Sequence, residues 1–258
     1  DQFAMSDAAL TESLKTLSIL LEKYYGQKAV LLIDEYDVPL AKAEAQGYYD
    51  QMIILIRNLF EKALKTNDSL EFAVLTGCLR VSKESIFTGL NNLKVFSVPS
   101  VRFDEYFGFT DQEVRDMLAH YGRSGRYEDI RDWYDGYRFG NVDVYCPWDV
   151  INFCDDLLDE PAAPPRNYWS NTSGNDVIRR LIERMGNGVT KGEIESLVAG
   201  ETVTKEIHED LTYKQVYDSI DNLWSLLLAT GYLTYRGKPE GKRYQLAIPN
   251  MEIRNIFK

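Results

Sequence analysis

The chain has 258 residues, 45% hydrophobic and 27% charged, with 17 Tyr and 11 Phe, enough apolar material for a sizeable core and too much for disorder. No run of about 18 apolar residues occurs, so nothing reads as a membrane span, and three cysteines without C-x-x-C spacing beside two histidines argue against a zinc site. The net charge of −11 is uneven, 15 acidic against 5 basic residues over 104–160 and 6 basic against 2 acidic over 236–258, which excludes a uniformly basic nucleic-acid binder but leaves a local basic patch open.

The first residues, Asp1-Gln2-Phe3, carry neither a basic nor an apolar leader pattern, and the chain reads as cytoplasmic. Ser6 is placed to cap a helix whose Leu10, Leu14, Leu17, Leu21 and Tyr24 recur at helical spacing, with Gly26 to stop it. Ala29-Val30-Leu31-Leu32-Ile33 is too short for a helix and too continuous for a half-exposed strand, so it predicts a buried parallel strand. A helix follows over about 48–65, carrying Met52, Leu55, Ile56, Leu59 and Ala63, then a second buried strand from Leu70 to Leu75 and a third over Val95–Val98. Strand, helix and strand at this spacing predict a βαβ crossover and a parallel sheet.

Beyond about residue 108, Thr110 and Glu113 form a capping box for a helix stopped by Gly122. Asp135-Gly136 marks a turn among aromatics, and Pro161, Pro164 and Pro165 lie in a segment that reads as a linker. Helices are expected near 175–185, over 191–199 behind a Thr190/Glu193 capping box, and over 214–229. Tyr232–Arg236 and Arg243–Ile248 predict two strands about a Gly/Pro turn, and Asn250 is placed to cap a last helix. A helix followed by such a hairpin has the shape of a small winged-helix unit.

The chemistry concentrates where the first strand ends in Asp34-Glu35. Ligands of open parallel sheets bind beyond the carboxyl ends of the strands, and two adjacent acids there are costly to hold together unless a cation shares them. In P-loop ATPases such a pair is the Walker B motif. Its first acid holds Mg²⁺ and its second orients or deprotonates the attacking water. The strand ending in Leu75 leads into Thr76, whose hydroxyl would lie on the same edge. Arg80, Ser82 and Lys83 follow within one loop as donors to phosphate oxygens.

Val30-Leu31-Leu32-Ile33-Asp34-Glu35-Tyr36-Asp37-Val38-Pro39-Leu40 resembles the Walker B segment of the predicted AAA-ATPase-like family of bacteria and archaea. The run from Thr76 to Leu93 resembles that family's next block. So do Tyr106–Thr110, Tyr134-Asp135-Gly136-Tyr137, Tyr145-Cys146-Pro147-Trp148, Tyr168-Trp169, Gly231-Tyr232-Leu233-Thr234, Ile248-Pro249-Asn250 and Glu252-Ile253-Arg254. The resemblance implies a P-loop fold of the ASCE type using ATP and Mg²⁺, with Asp34 as magnesium ligand and Glu35 as catalytic base. Thr76 and Arg80 join the catalytic set, and Ser82 and Lys83 the nucleotide-binding set. Members often carry a PD-(D/E)XK nuclease-like domain at the C-terminus, which this sequence does not contain. Nor does it contain a G-x-x-x-x-G-K-[ST] loop before residue 34, so the expectation is a truncated member with a gap beside strand 29–33.

The fold expected is α/β, a parallel-sheet P-loop remnant over 1–107, an acidic helical segment over 108–165, and a helical, winged-helix-like region over 166–258. The function expected is ATP hydrolysis coupled to an attached effector. The rivals are a non-catalytic interaction module and DNA binding through Arg236, Lys238, Lys242 and Arg243, the last not favoured at this net charge.

Overall fold

Residues 6–79, 86–87, 90, 93–169, 188–216 and 219–258 are described by the computed structural model, a mixed α/β structure. They gather into two compact units. The first takes sequence up to Val95 together with His208–Asn222, and the second takes Phe96–Ile207 together with Leu223–Lys258.

In the first unit, Asp7–Tyr25 forms α1. The Ser6 hydroxyl accepts from the Ala9 amide at its start, and Gly26, at φ 68, closes it by donating to the Glu22 carbonyl. Its buried positions are Thr11 and Ser18, whose hydroxyls donate to carbonyls of their own helix. These small side chains lie on the helix that packs against α3 (Tyr49–Leu64). The expected apolar stripe is not the buried face: Leu10, Leu17, Leu21 and Tyr24 are all exposed. Helical spacing defines a stripe but does not dictate which stripe the neighbouring helix takes.

Strand β1 (Ala29–Ile33) pairs in parallel with β2 (Leu70–Leu75), and the crossover contains α2 (Val38–Gln46) as well as α3. Helix α2, with Pro39 in its first turn, is an element the sequence reading did not separate. Val30 lies opposite Phe72 and Leu32 opposite Val74, so these four share one sheet face, and all are exposed. The strand expected to be buried on both faces is therefore covered on one. Among the described residues β1 has β2 as its sole partner. The expected strand at Val95–Val98 is not one, because the chain closes there into a turn in which the Ser100 amide donates to the Ser97 carbonyl.

The second unit opens with α4 (Asp111–His120), whose capping box of Thr110 and Glu113 is complete in both directions. Then come α5 (Tyr127–Tyr134), a hairpin of β3 (Tyr137–Phe139) and β4 (Val142–Val144), and α6 (Pro147–Asp159). Val114, Leu118, Ile130, Tyr134, Val150, Phe153 and Leu157 pack as one fully buried cluster. The Pro161–Pro165 segment is no free linker. Ala163 is buried against that cluster, and the Arg126 guanidinium donates to the carbonyls of Pro161 and Ala163 at 2.7 Å each.

The C-terminal sequence continues with α7 (Gly188–Ala199), β5 (Val203–Glu206), α8 (Tyr213–Val216, within the first unit), α9 (Ile220–Ala229), β6 (Thr234–Glu240), β7 (Arg243–Ala247) and α10 (Met251–Phe257). The three strands form an antiparallel sheet in the order β5-β7-β6. Helix α7 begins two residues before Thr190, which is therefore not its cap. The helix expected over 214–229 is divided, Ser219 lying outside both α8 and α9. The helix expected near 175–185 falls outside the described residues. Asn250 caps α10, accepting from the Ile253 amide at 3.0 Å.

Candidate functional site

The site is built where β1 and β2 end side by side. The ladder continues one step past the strands: the Thr76 amide donates to the Ile33 carbonyl, and the Tyr36 amide donates to the Thr76 carbonyl, each at 2.9 Å. Thr76 is thus fixed from both sides against the turn that carries Asp34 and Glu35. Its hydroxyl donates to Asp34 Oδ1 in a short hydrogen bond and accepts from the Glu35 amide at 3.1 Å. The Glu35 amide also reaches Asp34 Oδ1 at 3.1 Å. One carboxylate oxygen is therefore engaged twice, and Asp34 Oδ2 has no hydrogen bond among the described residues. Asp34, Glu35 and Thr76 are all exposed to solvent.

Glu35 holds a left-handed backbone, φ 50, a conformation that costs a residue with a Cβ about 1–2 kcal/mol. The turn then reverses, with the Val38 amide on the Glu35 carbonyl, and α2 begins.

Asp37 stands at the start of α2 but makes no side-chain cap to it. Instead its carboxylate, 1% exposed, accepts from the Cys78 amide at 3.1 Å, the Leu79 amide at 2.9 Å and the Tyr213 hydroxyl at 2.7 Å. Tyr36 adds a further tie, donating its hydroxyl to the Leu79 carbonyl at 2.6 Å while its ring packs on Phe60 and Phe87. Gly77 makes room for these contacts: a Cβ there would lie 2.6 Å from both Asp37 Oδ1 and the Tyr36 ring. Burial first, then the charge of Asp37, holds the Tyr213 phenol well above its ordinary range, so it remains a donor. Burial first, then Asp37 and Glu35, raises the Cys78 thiol.

Of the residues singled out in the sequence, the structure brings Asp34, Glu35 and Thr76 together on one edge. Arg80, Ser82 and Lys83 lie outside the described residues. Sequence reasoning gave no role to Asp37, Tyr36, Gly77 or Tyr213. Asp37 stood next to the motif and could have been questioned, but Tyr213, 176 positions away, carries no local signal.

A single carboxylate with a free oxygen suits Mg²⁺, which keeps several waters and takes one or two protein carboxylates beside substrate phosphates. No group of three or more His, Cys, Asp and Glu among the described residues is arranged to hold a metal by itself. The described residues also supply no cationic cradle for phosphates at this edge.

Comparison with known proteins places residues 2–87 in a match to the family model described as Predicted AAA-ATPase. The chain is also similar to an uncharacterised protein in the vnfD 5′ region of Azotobacter chroococcum mcd 1, at 29% identity over 235 residues. That alignment covers 89% of this chain and 42% of the relative, so the chain spans less than half the length of the curated protein it matches. No solved structure matches. No helix among the described residues is long and apolar enough to cross a membrane.

Proposed function

We propose, from the AAA-ATPase-like character of residues 2–87, that the β1–β2 edge is the acidic, water-handling half of a Mg²⁺-dependent ATPase site. The observation that carries this reading is the Thr76 hydroxyl set between the Asp34 carboxylate and the Glu35 amide, at the carboxyl ends of two parallel strands. Asp34, oriented through Oδ1, offers Oδ2 to the cation. Mg²⁺, when bound with ATP, offsets phosphate charge and polarises the phosphoryl group. Glu35 is the base: its backbone is held by Thr76 and Asp34, and its exposed carboxylate is free to take the proton of an attacking water. Thr76 holds both acids in register.

The phosphate-holding half is assigned to Arg80, Ser82 and Lys83 together with a Gly-Lys-Ser loop in the rest of the whole protein. The reading then is of a P-loop fold of the ASCE type whose ATPase cycle drives an attached effector. The test is a pair of variants in the full-length protein. Asp34→Ala should weaken Mg²⁺–ATP binding, whereas Glu35→Gln should bind it normally and hydrolyse it about 10²–10⁴-fold more slowly. Equal loss of binding in both variants would make the pair structural and favour an interaction module. The isolated 258-residue chain should bind Mg²⁺–ATP weakly and not turn it over; micromolar affinity there would call for a phosphate site among residues 1–258.

Within the second unit, the three-stranded sheet in the order β5-β7-β6, with the β6–β7 hairpin following α9, supports the winged-helix reading. It does not support DNA binding. The helix that would enter a groove, α9, buries Leu223, Trp224, Ser225, Leu226, Leu227 and Leu228.

A further inference from the structure

We infer that Asp37 is the positioning residue of this acidic edge, and that through Tyr213 it makes the segment 208–222 respond to what occupies the edge. The inference rests on the ATPase reading above and concerns residues to which that reading gives no part.

An aspartate at the first position of a helix ordinarily turns its carboxylate back onto the helix's own amides. Asp37 does not. It is buried, faces away from α2, and grips two consecutive amides, Cys78 and Leu79, of the chain leaving β2. Those amides begin one residue past Gly77, which itself follows Thr76. The grip therefore sets the direction in which the chain departs from the residue that orders Asp34 and Glu35. Tyr36 holds the Leu79 carbonyl from the other side, so the Leu79 peptide groups are fastened at both N–H and C=O.

The third donor is Tyr213, and its place in the chain carries the second half of the inference. Residues 208–222 cluster with the first unit, while the sequence on both sides of them belongs to the second. The chain leaves the second unit, delivers one phenol to the carboxylate that fixes the edge, and returns. A movement of the 76–79 turn changes the one group Tyr213 is bonded to. Coupling of this kind is reciprocal: whatever occupancy does to 208–222, loss of the Tyr213 bond does to occupancy by the same factor.

The experiment uses the full-length protein, with Tyr213→Phe as the mild variant and Asp37→Asn as the stronger one. Without nucleotide, both should speed hydrogen exchange over residues 76–79. With Mg²⁺ and a non-hydrolysable ATP analogue, 208–222 should gain protection in the unsubstituted protein and lose that gain in Tyr213→Phe. Tyr213→Phe should weaken binding of Mg²⁺ and the analogue about tenfold, as the reciprocity requires. The double variant should be no worse than Asp37→Asn alone, since the two residues act through one bond. Nucleotide binding that depends on Asp34 but leaves 208–222 unchanged, or is indifferent to both substitutions, overturns the inference and leaves the ATPase reading standing. Absence of Mg²⁺-dependent binding in the unsubstituted protein overturns both.

Discussion

Glu35 and Phe103 are the non-glycine residues of positive φ among those described, and Glu35 sits where chemistry is expected. Strain held at such a position is characteristic of functional sites, where the surroundings over-determine the backbone. Here the determinants are Asp34 and Thr76, which both accept from the Glu35 amide. Glu35→Gly should therefore leave the first unit at least as stable, or more stable by up to about 1 kcal/mol. Urea unfolding followed by exchange of the β1 and β2 amides measures this; a clear loss of stability would mean the glutamate side chain holds the turn. The two acids were legible in the sequence because strand, carboxylates and turn are contiguous there. Thr76 was legible because parallel strands put their carboxyl ends on one edge. Asp37 and Tyr213 were not, because a buried carboxylate's partners are chosen by tertiary packing and leave no periodicity behind.

Caps, too, were readable where their chemistry is local. Ser6, Thr110 and Asn250 each accept from the amide three residues on, which the residue types alone predict. Thr110→Ala should cost about 1 kcal/mol, measured by urea unfolding, since Glu113 also loses its partner hydroxyl. What the sequence could not show is which face an element buries. The continuous apolar run of β1 reads as buried on both faces, yet α1 and α3 cover one, and the α1 stripe is left exposed for a narrow seam of Thr11 and Ser18. The aromatic motif blocks of the second unit are explained by packing. Gly136, at φ 109, presses against Pro249, whose carbonyl oxygen would lie 2.1 Å from an added Cβ, and Arg236 donates to the Gly136 carbonyl. Trp169 meets Tyr232 edge-on at 5.0 Å. Gly136→Ala should destabilise this unit by about 2 kcal/mol or more, because backbone blocks the new methyl and the φ suits glycine. Near-normal unfolding of that variant would mean that the 248–250 turn yields freely.

At the scale of the whole chain, the uneven charge has two readable consequences. The basic residues Lys238, Lys242 and Arg243 are exposed about the β6–β7 turn, but α9, the helix before that hairpin, carries no basic residue. Replacing all three with Ala should leave DNA retention unchanged, whereas salt-sensitive binding lost in that variant would restore the DNA reading. The second consequence joins Asp149 of the acid-rich stretch to Glu252 of the otherwise basic C-terminal stretch, the two being buried together. Asp149 is 2% exposed in the first turn of α6 and Glu252 is fully buried in the first turn of α10, and two neighbouring buried carboxyls are costly to ionise together. Burial first, then the charge of Glu252, pushes the Asp149 carboxyl up from 3.8 to about 7. The native state thus keeps a proton that the unfolded chain has already lost, and stability must fall as pH rises between those two values. Asp135, raised mainly by its own burial, adds the same sign. Asp111, held low first by the Tyr127 hydroxyl, and Glu113, held low first by the Thr110 amide, have the opposite sign, but their contribution is lost only as pH falls into the acid range. All four tryptophans belong to the second unit, so intrinsic fluorescence reports its melting alone. The melting temperature read this way should decline from pH 5 to pH 8 in the unsubstituted protein. Asp149→Asn removes the titrating group while keeping a neutral side chain of the same shape, and it should flatten that decline. A melting temperature that climbs over the same range, or an Asp149→Asn variant with an unchanged slope, would show that the pair holds no proton at neutral pH.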